Sequence, residues 1–267
     1  MSYENIEFER RDAVGLVTLN RPQRLNALSP GLVGDLRDFF GNLKDDRETR
    51  IVIMRGAGRS FCAGADLRGE DTGQPSELGR VQQSYAGQQA FSDVVFRMRQ
   101  APQPLIAAVH GHAIGAGFAL AMACDMRIAG ESAQFNVRFT RIGASGGDCG
   151  MSYFLPRVVG LARAAELMYT SRWVDAITAE RIGLVSKMVP NDQLEDAAME
   201  LAREVLQNAP AGVRMTKEIL NMCMDAPSLL ATLHLENRTQ VLCTFTEDFE
   251  EAVTSVFEKR EAVFRDR

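Results

Sequence analysis

Residues 105–120, LIAAVHGHAIGAGFAL, decide the fold. The apolar run from Leu105 to Val109 reads as a strand buried on both faces, ended by Gly111. Pro102 and Pro104 stand just before it, where they close a preceding helix. A knot of small residues follows the glycine, and a helical pattern begins beyond. The same order occurs earlier in the chain: IVIMRG at 51–56 is a buried strand ending in glycine, and FCAGADL follows at 61–67. Glycine permits a sharp turn and close backbone approach, while a helix start leaves amide N–H groups without partners. Two such places could aim two N–H groups at one oxygen, with the helix dipole adding positive potential. Small residues that merely let helix and sheet pack closely would give the same pattern, and the residues alone leave both readings open.

Outward from these blocks, VGLVTL at 14–19 is a further buried strand. The alternating Ile6–Phe8 segment precedes it, with Arg10-Arg11-Asp12 as the expected hairpin turn. Ser29-Pro30 places a capping hydroxyl before a proline at the first helical position, and Leu32, Leu36, Phe39 and Phe40 follow at helical spacing. Strands therefore alternate with helices through the first half, an α/β pattern. After about residue 150, segments 162–168, 192–206, 213–224 and 227–243 carry helical spacing, and a long helical tail is expected to run to Arg267. Residues 69–84, GEDTGQPSELGRVQQS, are polar and contain Gly and Pro, which predicts a mobile loop.

The chain has 267 residues, enough to bury roughly three quarters of its surface without a metal or disulfide staple. Thirty basic against 35 acidic residues give a net charge of -5, which argues against a nucleic-acid coat and a polybasic membrane binder. The five cysteines, 62, 124, 149, 223 and 243, show no CxxC spacing, so neither a disulfide framework nor a zinc site is expected. The opening MSYENIEFERRD is acidic and lacks an apolar core, and no run approaches the ~20 apolar residues that cross a bilayer. A cytoplasmic location without nucleic-acid or membrane partners is the expectation.

Several blocks together resemble the enoyl-CoA hydratase/isomerase (crotonase) superfamily: NRPQRLNALS at 20–29, FCAGADL at 61–67 and PLIAAVHGHAIGAGFALAMACDMRIA at 104–129. LPRVVG at 155–160, GLVSKMVP at 183–190 and FEKREAVF at 257–264 continue the resemblance along essentially the whole chain. It implies an α/β spiral of ββα units over 1–195 that carries an acyl-CoA site, and a C-terminal helical trimerisation region over 196–267. A homotrimer or dimer of trimers follows, with no permanently bound cofactor, coenzyme A entering as part of the thioester substrate.

By that resemblance the oxyanion-hole donors are the backbone N–H groups of Ala65 and Ala116, which would stabilise a thioester enolate. Ala116 stands where many relatives have glycine. Arg24 matches a basic position near the CoA phosphates. Backbone groups around Leu25, Ala27 and Ala63, with Gly64 and Asp66 beside them, would hold adenine and pantetheine. Lys259 and Phe264 match positions that cover the nucleotide, often from a neighbouring subunit; Arg24 and Lys259 also read as ordinary solvated charges.

Hydration in this family uses two glutamates, and their positions here are Ala119 and Phe139; FNVRFTRIG at 135–143 contains no acid. Asp148, in GASGGDCG twelve residues before Gly160, matches an acid of dienoyl-CoA isomerases and the nucleophile of 4-chlorobenzoyl-CoA dehalogenases. A carboxylate partly desolvated beside an acyl chain can shuttle a proton to or from carbon, though Asp is also a favoured helix cap. Enoyl- or dienoyl-CoA isomerisation with Asp148 as acid/base is thus the first expectation. Hydration through another acid such as Asp66, hydrolysis or dehalogenation with Asp148 as nucleophile, and acyl-CoA binding without chemistry are the alternatives. His112 is a possible base at a strand end, and His110 shares that turn. Phe118, Phe139, Met151 and Phe154 are candidates for the pocket wall or for plain core. Glu131 and His234 carry no assigned role.

Overall fold

The computed structural model describes residues 3–68 and 79–267. Its larger sheet opens with an antiparallel hairpin, β1 (Ile6–Arg11) and β2 (Val14–Leu19). The turn is Asp12-Ala13, not the expected Arg10–Asp12: Arg10 and Arg11 pair with Gly15 and Val14 inside the ladder. Among β1 residues only Ile6 is buried, because β1 is the sheet edge, where charged side chains are tolerated on both faces. β3 (Ile51–Gly56), β4 (Leu105–Val109), β6 (Met126–Gly130) and β9 (Lys187–Val189) continue the sheet from β2, all parallel.

A second, smaller sheet joins β5 (His112–Ile114), β7 (Gln134–Asn136) and β8 (Val174–Asp175). A bridge from Cys62 to Ala113 adds the earlier chain segment to its edge, so Cys62, Ala113, Phe135 and Val174 stack in one ladder. Each winding of the chain thus lays one segment in the large sheet, turns, and lays a second in the small one before a helix returns it.

The parallel strands read as unbroken apolar runs because both faces are covered. Val17, Met54 and Ala107 face the main core with helices α1 (Pro30–Leu43), α2 (Arg80–Gln100) and α3 (Ala116–Ala123). Leu16, Ile53 and Ala108 face the other side, where Leu194, Ala198 and Ala202 of α7 (Leu194–Leu206) cover them. α1 starts as its sequence indicates: the Ser29 hydroxyl accepts from Leu32 N at 3.2 Å and Pro30 opens the helix. α4 (Met151–Val159) and α5 (Leu161–Thr170) lie between β7 and β8, and α6 (Ala176–Arg181) follows β8.

The last helices are α8 (Pro210–Cys223), α9 (Leu229–Cys243) and α10 (Glu247–Glu258). Lys217 of α8 is buried; its ammonium meets the Asp125 carboxylate at 2.9 Å and donates to Gln103 O at 2.8 Å. Asp125 also accepts from Arg99 and from Leu105 N, both at 2.8 Å, so α8 is tied to the foot of β4. Desolvation lowers the Lys217 pKa, against the attraction of Asp125. α9 has no buried residue and exposes Leu229, Leu230, Leu233, Val241 and Leu242.

Two further sequence expectations fail here. Residues 80–84 are the first turns of α2 rather than loop; 69–78 lie outside the described residues. The helical tail stops at Glu258, where Lys259 takes a left-handed conformation (φ 54°) and residues 261–267 run without regular structure. That segment is clamped instead. Buried Asp248 accepts from Arg265 N at 2.7 Å and Asp266 N at 2.9 Å, and Arg214 grips the Asp266 carboxylate at 2.6 and 2.8 Å. Among the described residues no helix is long and apolar enough to cross a membrane.

Candidate active site

The two small-residue knots come together at the start of α3. Gly64 has φ +91°, and a methyl group built on it would lie 2.6 Å from Ile114 O and 3.7 Å from Ala116 N. Gly117 approaches as closely: its added methyl would stand 2.3 Å from Cys62 O. Glycine is required at both because backbone, not a movable side chain, occupies the space. Ala116 is the first residue of α3, after Gly115, and its N–H has no partner among the described residues. Leu28 pairs with Ala65 by accepting from Asp66 N at 3.1 Å and donating to Gly64 O at 2.8 Å. That pattern leaves the Ala65 N–H turned away from Leu28, and it too has no partner among the described residues.

The loop before α1 forms the adjoining shelf. Leu25 and Asn26 hold left-handed conformations (φ 51° and 54°), strain that asparagine tolerates better than most residues. Asn26 is fully buried; its amide donates to Ala57 O and Ser60 O at 2.9 and 2.8 Å and accepts from Arg21 N at 2.9 Å. Sequence reasoning passed over Asn26, whose amide offers a donor to the carbonyls of the 57–60 loop and an acceptor to Arg21 N. Ala63 N donates to Leu25 O at 3.0 Å, and Ala27 O accepts from Ser29 N and the Arg21 guanidinium. The backbone groups of Leu25 and Ala27 therefore build the shelf, while Ala63 O has no partner among the described residues. Arg24 is exposed at the rim. Asp66 is held by Arg21 at 3.1 Å and accepts from Arg68 N at 3.2 Å. Lys259 and half-buried Phe264 sit in the clamped C-terminal segment, whose observed bonds run to α8 and α10 rather than to this shelf.

A small apolar cavity starts against Ala116 and is walled by Leu28, Leu36, Phe91, Val95 and Cys149. Asp148 adjoins it. Its Oδ1 accepts from Cys149 N at 2.7 Å, and the Cys149 thiol lies 3.4 Å away. Gln88 of α2 donates to the same oxygen. The capping alternative for Asp148 does not materialise: positive φ at Cys149 and Gly150 delays α4 to Met151, its cap residue is Gly150, and no side chain caps it. Burial, with the neighbouring Asp148 carboxylate adding to it, pushes the Cys149 thiol up; burial alone pushes Cys62 up to about 12. Neither sulfur is a thiolate nucleophile at neutral pH.

Ala119 is buried within α3, and the Phe139 ring lies 3.4 Å from where a Gly115 methyl would stand. Phe118 packs on Phe135 in the core, Met151 is fully buried, and Phe154 lies beneath Arg99. His112 points at Ser60 Oγ (3.3 Å) and the Trp173 ring (5.6 Å), and His110 bonds Gly58 O at 2.8 Å.

With this geometry in place, the chain matches the model of the enoyl-CoA hydratase/isomerase family over residues 9–267. The chain belongs to that family. It is 38% identical over 258 residues to a probable enoyl-CoA hydratase of Mycobacterium bovis, covering 96% of this chain and 90% of that protein. The crystal structure of a putative enoyl-CoA hydratase from Streptomyces coelicolor A3(2) superposes with a TM-score of 0.93 at 38% identity, covering 100% and 96% of the two chains. A monofunctional enoyl-CoA isomerase from M. smegmatis is also 38% identical, with a TM-score of 0.72 over 86% of this chain and 98% of that one. The two-sheet architecture with C-terminal helices is the crotonase fold, and the family acts on CoA thioesters.

Proposed function

We propose that this crotonase is an enoyl- or dienoyl-CoA isomerase in which Asp148 moves the proton. Ala65 N–H and Ala116 N–H would receive the thioester oxygen as negative charge gathers on it, each such donor contributing about 3–4 kcal/mol to the barrier. For a 3-enoyl-CoA, Asp148 takes a proton from C2, the dienolate forms against the two amides, and the same carboxylic acid returns a proton to C4. No net acid or water is consumed, so one carboxylate suffices. The observation carrying this reading is that the Asp148 carboxylate is bonded to Cys149, a wall residue of the cavity at Ala116, and to Gln88 of the helix that supplies Phe91 and Val95, while residues 119 and 139 are apolar. Arg24 and the Leu25, Ala27, Ala63 and Gly64 backbone would line the CoA path, with Lys259 and Phe264 of a neighbouring subunit closing it. The exposed apolar α9 favours assembly of the 196–267 region into a trimer or dimer of trimers.

The names of the hydratase relatives favour a second reading, hydration, for which Asp66 would have to leave Arg21 and enter the site. One experiment separates the two. In heavy water, 3-hexenoyl-CoA should become 2-hexenoyl-CoA with deuterium at C2 and C4, and Asp148→Asn should still bind acyl-CoA while losing both events. Full exchange by Asp148→Asn, or fast loss of crotonyl-CoA absorbance with no isomerisation, would overturn the proposal in favour of hydration.

A further inference from the structure

One polar side chain near Asp148 comes from an element that the proposed chemistry has not used. Gln88 lies on α2, one and two turns before Phe91 and Val95, on the face that walls the cavity. Its own surroundings are exposed, so it is not fixed by packing. A carboxylate only accepts hydrogen bonds, so the Gln88 contact is an Nε2–H donating to Asp148 Oδ1. Cys149 N–H donates to that same oxygen at 2.7 Å, and the Cys149 thiol adds a longer contact at 3.4 Å. Among the described residues, nothing donates to Oδ2. The carboxylate is thus pinned at one oxygen by two elements, α2 and the loop before α4. Cys149 is the titratable side chain in contact with it among the described residues, and burial keeps that thiol protonated.

We propose that Gln88 is a positioning residue: by holding Oδ1 it fixes the carboxylate plane and leaves Oδ2 as the oxygen that takes and returns the substrate proton. This rests on the reading of Asp148 as the acid/base. Without Gln88, only Cys149, through its N–H and the longer thiol contact, would hold Oδ1, the carboxylate would be free to turn about that one residue, and Oδ2 would drift from the C2–C4 path. A displacement of about 1 Å costs up to about 100-fold in rate. The loss falls on kcat and not on KM, because Gln88 touches neither CoA nor the thioester oxygen.

The test uses the full-length protein, 3-hexenoyl-CoA in heavy water, and Gln88→Ala, Gln88→Glu and Asp148→Asn. Gln88 is exposed, so both of its variants should melt with the wild type. Gln88→Ala should lose about 10- to 100-fold in kcat and in C2 exchange, at unchanged KM. The carboxyl introduced by Gln88→Glu can donate to Oδ1 only while protonated. That variant should therefore be slow at pH 8 and recover relative to wild type as the pH falls toward 5, a signature that loss of mere packing would not give. Wild-type kcat in Gln88→Ala, or a Gln88→Glu deficit independent of pH, overturns the positioning role. If Asp148→Asn is inactive in that case, the isomerase reading survives alone. Wild-type exchange by Asp148→Asn overturns both.

Discussion

Ala116→Pro separates the proposed oxyanion site from the fold that carries it. The substitution removes one N–H and places the ring Cδ where the hydrogen pointed. Its structural cost is small for three reasons. The Ala116 N–H has no partner among the described residues, so no backbone hydrogen bond to them is lost. The residue is the first of α3, the helical position at which proline is best accepted. Gly115 before it has φ 52° and ψ −120°, the mirror of an extended conformation, which glycine can hold ahead of a proline ring. Stability should change by less than about 1 kcal/mol. The chemical cost is one of two donors, about 3–4 kcal/mol, or roughly 10²- to 10³-fold in kcat. Ala116→Gly keeps the N–H and is the control, expected within a few-fold of wild type. The assay is conversion of 3-hexenoyl-CoA with deuterium exchange at C2, beside thermal melts of both variants. A well-folded Ala116→Pro protein that turns over within tenfold of wild type would refute the claim that this amide stabilises the enolate.

Gly117→Ala should damage fold and chemistry together, since its methyl would meet Cys62 O at 2.3 Å and backbone cannot step aside; a loss of about 1–3 kcal/mol in urea unfolding with reduced kcat is expected. Lys217→Met leaves Asp125 with Arg99 and Leu105 N, so the cost should sit near the low end for a broken buried pair, about 3 kcal/mol by urea unfolding. Unchanged stability would show that α8 is held by other contacts. Asp266 has its pKa held below the usual 3.8, chiefly by the Arg214 guanidinium, so its contribution is complete above pH 3.8 and lost as pH falls through the lower folded value. Hydrogen exchange should therefore show residues 261–267 opening in acid, and Asp266→Asn should open them at neutral pH.

The large sheet was legible because its parallel strands are buried on both faces, which leaves continuous apolar runs such as Leu105–Val109. The small sheet was not: strands of two or three residues, β5, β7 and β8, are too short to show alternation and exist because successive windings stack. Residues 80–84 were misread because the start of α2 has no buried face; its apolar stripe begins only at Phe91. The glycine knots around 64 and 117 were visible as places of close backbone approach, but the residues alone left packing and an amide pair both open, and only the resemblance picked out Ala65 and Ala116. Gln88 left no such trace. A single polar residue on an exposed helical turn has no periodicity, and its meaning comes from a partner 60 positions away.

On the proposed reading, that contrast would let such a site change its chemistry while the fold stays put. The proposed oxyanion donors are main-chain groups held by Gly64, Gly117 and the Leu28–Ala65 bridge, and no side chain at 65 or 116 would be needed for them. Proton-moving groups are single side chains that packing can do without. Ala119 lies inside α3 with its N–H bonded to Gly115 O at 2.9 Å, and the Phe139 ring rests near Gly115; both fill space beside Ala116 with apolar matter. A water poised for attack needs polar partners, and this side of the amides offers it none from residues 119 and 139. Asp148 stands instead in the loop before α4, bonded to Cys149 of the cavity wall and to Gln88 of α2. An apolar wall on one side and a single anchored carboxylate on the other suit a proton that leaves carbon and returns to carbon better than the addition of water across a double bond.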